Sequence, residues 1–264
     1  MQIEQSERKY DYWNITGKRF VAFFDILGFK DKVMRDSHDE IYEKLAEIQV
    51  NENLLKQTLD DPAVQEVFQD YGIYVVKFSD SISLFSKNDT IENFVLFLIS
   101  ARFLFTSFLK KEFLIKGGMA YGKISLDKEK QLYFGQPIID AYNLEEDVNY
   151  IGVIAHNSID EFKQNIDKNN KFCTLLNQLI FEAKSPLKSG FITHLNLNWF
   201  RQFVDNENLN GKMKNAIKSA IITELKKYYL GVAGSPRRYI DNTIEFLEKN
   251  ESNINFDEII VPSE

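Results

Sequence analysis

The segment RFVAFFDILGF, residues 19–29, constrains the fold more than any other stretch. Phe20 to Phe24 form a strand-length apolar run that must be buried, and the run ends in Asp25, followed by Ile26, Leu27, Gly28 and Phe29. Burying a lone carboxylate is costly, so Asp25 needs a proton, a cationic partner or a metal. Gly28 lets the chain turn at once and pass close to a ligand, and the amides opening the next helix are suited to hold a phosphate.

The rest of the chain alternates strand and helix signals. Ser37 with Glu40 three residues later reads as a capping-box start for a helix through about Lys56, and Asp61-Pro62 opens another that Gly72 can close. IYVVKF and SISLFS are β-rich runs joined at Ser79-Asp80, a hairpin signal. Asp89 or Thr90 caps a long apolar helix; LIKGGMAYGKISL reads as a strand, DKEKQ as a charged turn and LYFG as a short strand. PIIDAYNLEEDV starts with proline, as helices do, and YIGVIAH is a further strand. The order βααββαββαβ predicts an α/β sandwich with one mixed sheet flanked by helices. After about residue 160 the pattern turns mainly helical, with NENLNG (206–211) as a loop, so residues 1–165 and 166–264 read as an α/β domain and a mainly helical C-terminal extension packed on it.

Bulk properties narrow the partners. A net charge of -7 argues against nucleic acid and against an anionic membrane surface, though not against a nucleotide. A single cysteine, Cys173, excludes an intrachain disulfide and suits a reducing, cytoplasmic setting; the N-terminus lacks the apolar core of a signal peptide. NFVLFLISARFLFTSFL (93–109) is 17 residues long and interrupted by Arg102, which favours a buried helix over a membrane span. His38, His156 and His194 are scattered and make no zinc spacing with Cys173, and GVAGSPRRY (231–239) reads as a helix-linking turn.

Asp25 ends one strand and Asp80 sits at a hairpin tip 55 positions later. Two hard oxygen ligands converging from neighbouring strand ends would suit Mg²⁺ or Mn²⁺, with substrate phosphates completing the shell. Hairpin aspartates also serve simply as turn formers, and spacing alone leaves both readings open.

Four segments in order, FVAFFDILGF (20–29), FSDSISLF (78–85), IKGGMAYG (115–122) and YFGQPIIDAYNLE (133–145), resemble the successive signatures of class III nucleotidyl cyclases. The likeness is closer to the Pycsar antiphage cyclases, which make cyclic UMP or cyclic CMP, and adds YIGV, PLKSG, LNWF and RYIDNTIEFL further along. This resemblance implies that Asp25 and Asp80, with the Ile26 carbonyl, bind two divalent cations, Mn²⁺ or Mg²⁺. It implies that the backbone of Leu27, Gly28 and Phe29 holds the β and γ phosphates. It also implies a homodimer with sites at its interface, and a separate effector that responds to the cyclic nucleotide.

The departures from the purine-cyclase pattern carry the substrate expectation. The two positions that read a purine edge are Val76 and Leu132, both apolar, which disfavours adenine and guanine and favours a pyrimidine, UTP ahead of CTP. Tyr74, on the same strand face as Val76, and Tyr71 are expected to narrow the pocket. The transition-state Asn and Arg of purine cyclases are replaced by Ile139 and Asn143. Lys116 is the first candidate for the missing cation, with Arg102 and Lys77 behind it. The expected activity is uridylate cyclase; the alternatives are a cytidylate cyclase, a degenerate nucleotide-binding fold, and an interaction domain.

Overall fold

The computed structural model describes residues 13–59, 70–204, 214–232 and 234–256. The expected helix from Pro62 falls mostly, and the loop 206–211 wholly, outside these residues. The fold is an α/β sandwich on one mixed eight-stranded sheet.

The strand that begins the chain's apolar run, β1 (Thr16–Ile26), lies in the interior of the sheet. Two helices follow, the short α1 (Phe29–Arg35) and the 22-residue α2 (His38–Leu59), the latter opened by a Ser37 hydroxyl that accepts from the Glu40 amide at 3.2 Å. The hairpin β2 (Ile73–Phe78) and β3 (Ser81–Ser86) pairs antiparallel with β1. On β1's other edge runs β4 (Ile115–Asp127), also antiparallel, carrying the short β5 (Leu132–Phe134) on its end. β6 (Val153–Ala155) then pairs parallel with β4.

Alternation along β1 divides its side chains between two faces. Phe20, Ala22, Phe24 and Ile26 enter the large core under α3 (Ile91–Lys110). Thr90 caps α3 through the Asn93 amide at 3.3 Å, which settles the choice between Asp89 and Thr90, and Phe94 stacks on Phe20 with centroids 4.5 Å apart. By length and composition α3 could cross a membrane, yet most of its residues are buried in this core.

Val21 and Phe23 point to the opposite face, where α4 (Gln136–Asp147) covers part of the sheet. That packing depends on Gly118 of β4: a Cβ there would lie 2.3 Å from the Ala141 carbonyl oxygen and 2.8 Å from the Glu145 amide nitrogen.

Helices do predominate beyond residue 166: α6 (Cys173–Leu179), α7 (Phe200–Phe203), α8 (Lys214–Lys227) and α9 (Ser235–Lys249) follow the short α5 (Asn157–Gln164). The structure adds a hairpin that the mainly helical reading left out, β7 (Ile180–Leu187) and β8 (Gly190–Leu197), which joins the sheet beside β6. Pro186 weakens the strand signal of β7, and the sheet tolerates it because β7 is the edge strand.

Candidate active site

The β2–β3 turn is tied to the end of β1, because the Ile26 amide donates to the Asp80 carbonyl at 3.0 Å. Ser79 makes the turn with a left-handed φ of 57°. Asp25 faces Ser81 on one side and Lys116 on the other in the strand register. Both carboxylates are half-buried, and neither has a hydrogen bond or ion pair among the described residues.

Burial, and then repulsion from Asp80, push the Asp25 carboxyl above its ordinary value; Lys116 and Lys188 oppose the rise and Glu146 adds to it. Asp25, disfavoured as an anion by burial and by the second carboxylate near it, forms with Asp80 a donor set suited to a hard divalent cation. No group of three or more His, Cys, Asp or Glu side chains suited to a metal occurs among the described residues, so any further ligands would be carbonyls, water or substrate.

Gly28 caps α1 with φ 69°, the left-handed conformation that favours glycine. A Cβ there would meet nothing within 4 Å, so backbone conformation rather than crowding explains the residue. The Leu27 amide donates to the Leu114 carbonyl at 2.8 Å, so the expected three-residue phosphate cradle loses that donor and shrinks to Gly28 and Phe29.

Lys116 lies opposite Asp25 in the β1–β4 register but is not a free cation. It is buried, its Nζ lies 2.8 Å from Glu145 Oε1 in an ion pair, and it donates to the Glu145 and Glu146 carbonyls at 2.7 and 3.4 Å. The ammonium group is thus engaged on the α4 side by one carboxylate and two helix-end carbonyls. Burial raises the Glu145 carboxyl, against the pull of Lys116.

The two reserve cations lie elsewhere. Arg102 is held by Gln202 Oε1 at 2.7 Å, with burial lowering its guanidinium to about 10. Lys77 reaches Gln49 at 3.2 Å on the α2 side of the sheet.

A residue missed from the sequence also places positive charge near Asp25. Lys188 occupies the β7–β8 turn, is exposed, and contributes positive charge at Asp25. The C-terminus of α4 fixes that turn: the Lys188 amide donates to the Asp147 carbonyl at 2.7 Å, and Asp147 Oδ1 accepts from the Ser189 amide at 2.9 Å. The Ser189 hydroxyl donates to Asp147 Oδ2 as well. Lys188 stands within PLKSG, so the segment was visible, but its neighbour Asp25 is 163 positions away (188 − 25).

The expected base pocket changes in one partner. Tyr74 and Val76 lie on the α4 side of the sheet, packed around Val21, Phe85 and Ala120. The register pairs Leu126 with Tyr133 and Asp127 with Leu132, so Tyr133 turns inward and Leu132 outward, where it is 54% exposed. Tyr133, not Leu132, therefore meets Tyr74, their hydroxyls 2.9 Å apart. Tyr71 packs on the large core instead and does not join them. Asn143 is exposed one turn beyond Ile139 on α4, while the neighbouring Tyr142 ring sits edge-on to Phe23 at 5.3 Å.

No protein-family model and no curated protein sequence matches the chain. Solved structures that resemble it include the guanylate cyclase domain of RhGC from Catenaria anguillulae in complex with GTP, 13% identical, with 69% of this chain and 96% of that one covered and a TM-score of 0.44. The adenylyl cyclase CyaB from P. aeruginosa is 12% identical over 73% of this chain and 96% of its own, with a TM-score of 0.47. The dimeric guanylyl cyclase domain of the RhoGC fusion protein from Blastocladiella emersonii is 16% identical over 69% and 96%, with a TM-score of 0.41.

Proposed function

We propose that this chain is a metal-dependent nucleotidyl cyclase that converts UTP to 3′,5′-cyclic UMP and pyrophosphate. The observation that carries the reading is the convergence of Asp25 and Asp80, unpartnered, beside the left-handed turn at Gly28. Asp25, Asp80 and the Ile26 carbonyl would hold two Mn²⁺ or Mg²⁺ ions. When bound, such ions lower the pKa of the ribose 3′-hydroxyl and neutralise the triphosphate.

The chain's own residues supply position and charge. The Gly28 and Phe29 amides open α1 toward the β and γ phosphates, and Lys188 offers the cation that Lys116 cannot. The 3′-oxygen attacks the α-phosphorus in line as its proton passes to water; the bond to the bridging oxygen breaks and pyrophosphate leaves. Val76 and the Tyr74 and Tyr133 rings offer a wall whose two hydroxyls are bonded to each other, and the paired rings narrow the space in favour of a smaller base.

Assembly as a homodimer with sites at its interface fits the apolar side chains left in solvent near this face. Phe78, Leu132, Phe134, Ile139 and Tyr142 are 83, 54, 65, 53 and 42% exposed. In this reading residues 1–165 form the catalytic domain, and the extension from 166 contributes Lys188 to it. The sequence resemblance adds an antiphage role, in which cyclic UMP acts on a separate effector.

The test is incubation of the protein with equal ATP, GTP, CTP and UTP and with Mn²⁺, followed by mass spectrometry. Dominant cyclic UMP supports the reading. Dominant cyclic CMP corrects the base, cyclic AMP overturns the pocket, and nucleotide binding without product makes the chain a regulatory module.

A further inference from the structure

Lys116 and Asp25 oppose each other across the antiparallel β1–β4 pair, so their Cβ atoms stand about 5 Å apart on one face. Yet Lys116 makes no ion pair with Asp25. Its ammonium group turns under α4 to Glu145 Oε1 at 2.8 Å, and both side chains are about 95% withdrawn from solvent, at 6 and 4% exposure. A buried lysine next to an unpartnered carboxylate would ordinarily take that carboxylate as its counterion. Glu145 supplies the counterion from the other side and leaves Asp25 free. In effect a full positive charge beside the candidate cation site is cancelled from behind.

We propose that Glu145 is a positioning residue of the cation site: by neutralising and holding Lys116 it preserves the affinity of Asp25 and Asp80 for a divalent cation. This rests on the proposed function only in that those two carboxylates bind such a cation. Removing Glu145's charge leaves Lys116 to repel the cation and to compete for Asp25. Removing Lys116's charge leaves Glu145 as an unpaired buried carboxyl that either attracts the cation or takes up a proton, and in neither state repels it. Glu145→Gln therefore weakens binding, whereas Lys116→Met leaves it equal or tighter. A purely structural role for the pair would weaken binding in both cases.

The experiment measures Mn²⁺ binding to the full chain from the free-ion electron paramagnetic resonance signal, with a thermal melt of every variant. Expected are a Kd raised about tenfold or more in Glu145→Gln, a Kd at or below that of wild type in Lys116→Met, and a Kd within about threefold of wild type in the double variant. If Glu145→Gln melts below the assay temperature, Lys116→Met carries the test, and weaker binding in it overturns the assignment. Wild-type binding that Asp25→Asn abolishes but neither pair variant alters overturns this inference alone. A wild-type chain that binds no Mn²⁺ overturns the cation reading and this inference with it.

Discussion

Substituting Gly118 by alanine should loosen the whole site from a single methyl group. The new Cβ would sit 2.3 Å from the Ala141 carbonyl oxygen, 2.8 Å from the Glu145 amide and 3.1 Å from Leu144 Cβ. The two closest atoms are backbone atoms of one helix, so no side-chain rotation relieves the clash. A carbon–oxygen contact needs about 3.3 Å, so α4 must retreat by about 1 Å, and overpacking of this kind costs about 1–3 kcal/mol. For a chain of this size that corresponds to a fall in Tm of about 2–12 °C. Gly231→Ala is the control: its φ is -93°, and the one atom near a new Cβ is the Tyr228 carbonyl at 3.8 Å. Thermal unfolding followed by circular dichroism compares the two. Gly118→Ala melting within 1 °C of wild type would refute the backbone contact between α4 and β4.

Three further outcomes follow from single contacts. The folded Asp25 carboxyl is raised above its ordinary 3.8, so the native state holds the proton more tightly than the unfolded chain, and stability falls as pH climbs through that window. In EDTA, Asp25→Asn should therefore raise Tm near pH 7 and lose its advantage below about pH 4; a variant less stable at neutral pH would contradict the raised carboxyl. Lys188→Gln should lower kcat/KM for the triphosphate about tenfold or more without moving Tm, since the turn is held by Asp147 and not by the ammonium group. Thr90→Ala should cost about 1 kcal/mol, read as a Tm loss of about 2–4 °C, because it removes the hydroxyl that accepts from the Asn93 amide.

Elements β1 through β6 were legible because their signals are local. Alternation marks the strands, Ser79-Asp80 marks the tight turn, and Ser37 and Thr90 cap helices through hydroxyls that the structure shows accepting amides. The hairpin β7–β8 was not legible, since Lys184 and Pro186 interrupt the run; the first points to solvent and the second is tolerated on an edge strand. The site divides along the same line. Asp25 and Asp80 each end a local element, and their meeting follows from one hairpin folding beside one strand. The exchange of Leu132 for Tyr133 comes from register, where a slip of one residue sends every side chain to the other face. Sequence spacing marks a strand, but not which of its residues faces inward.

The roles of Lys116 and Lys188 could not be read locally at all, because both are decided by α4. Its last turn offers the Glu145 carboxylate and the Glu145 and Glu146 carbonyls to Lys116, and its final residue, Asp147, grips the turn that presents Lys188. One end of the helix therefore engages one of these lysines and holds the turn that carries the other. Both depend on the close approach at Gly118, the glycine two positions beyond Lys116 on the same face of β4. A retreat of α4 stretches the hydrogen bonds of Lys116 and draws the Lys188 turn away from Asp25 in the same movement. Substitutions at Gly118 and Lys188 share that helix as a partner, so their effects on turnover should fall short of additive.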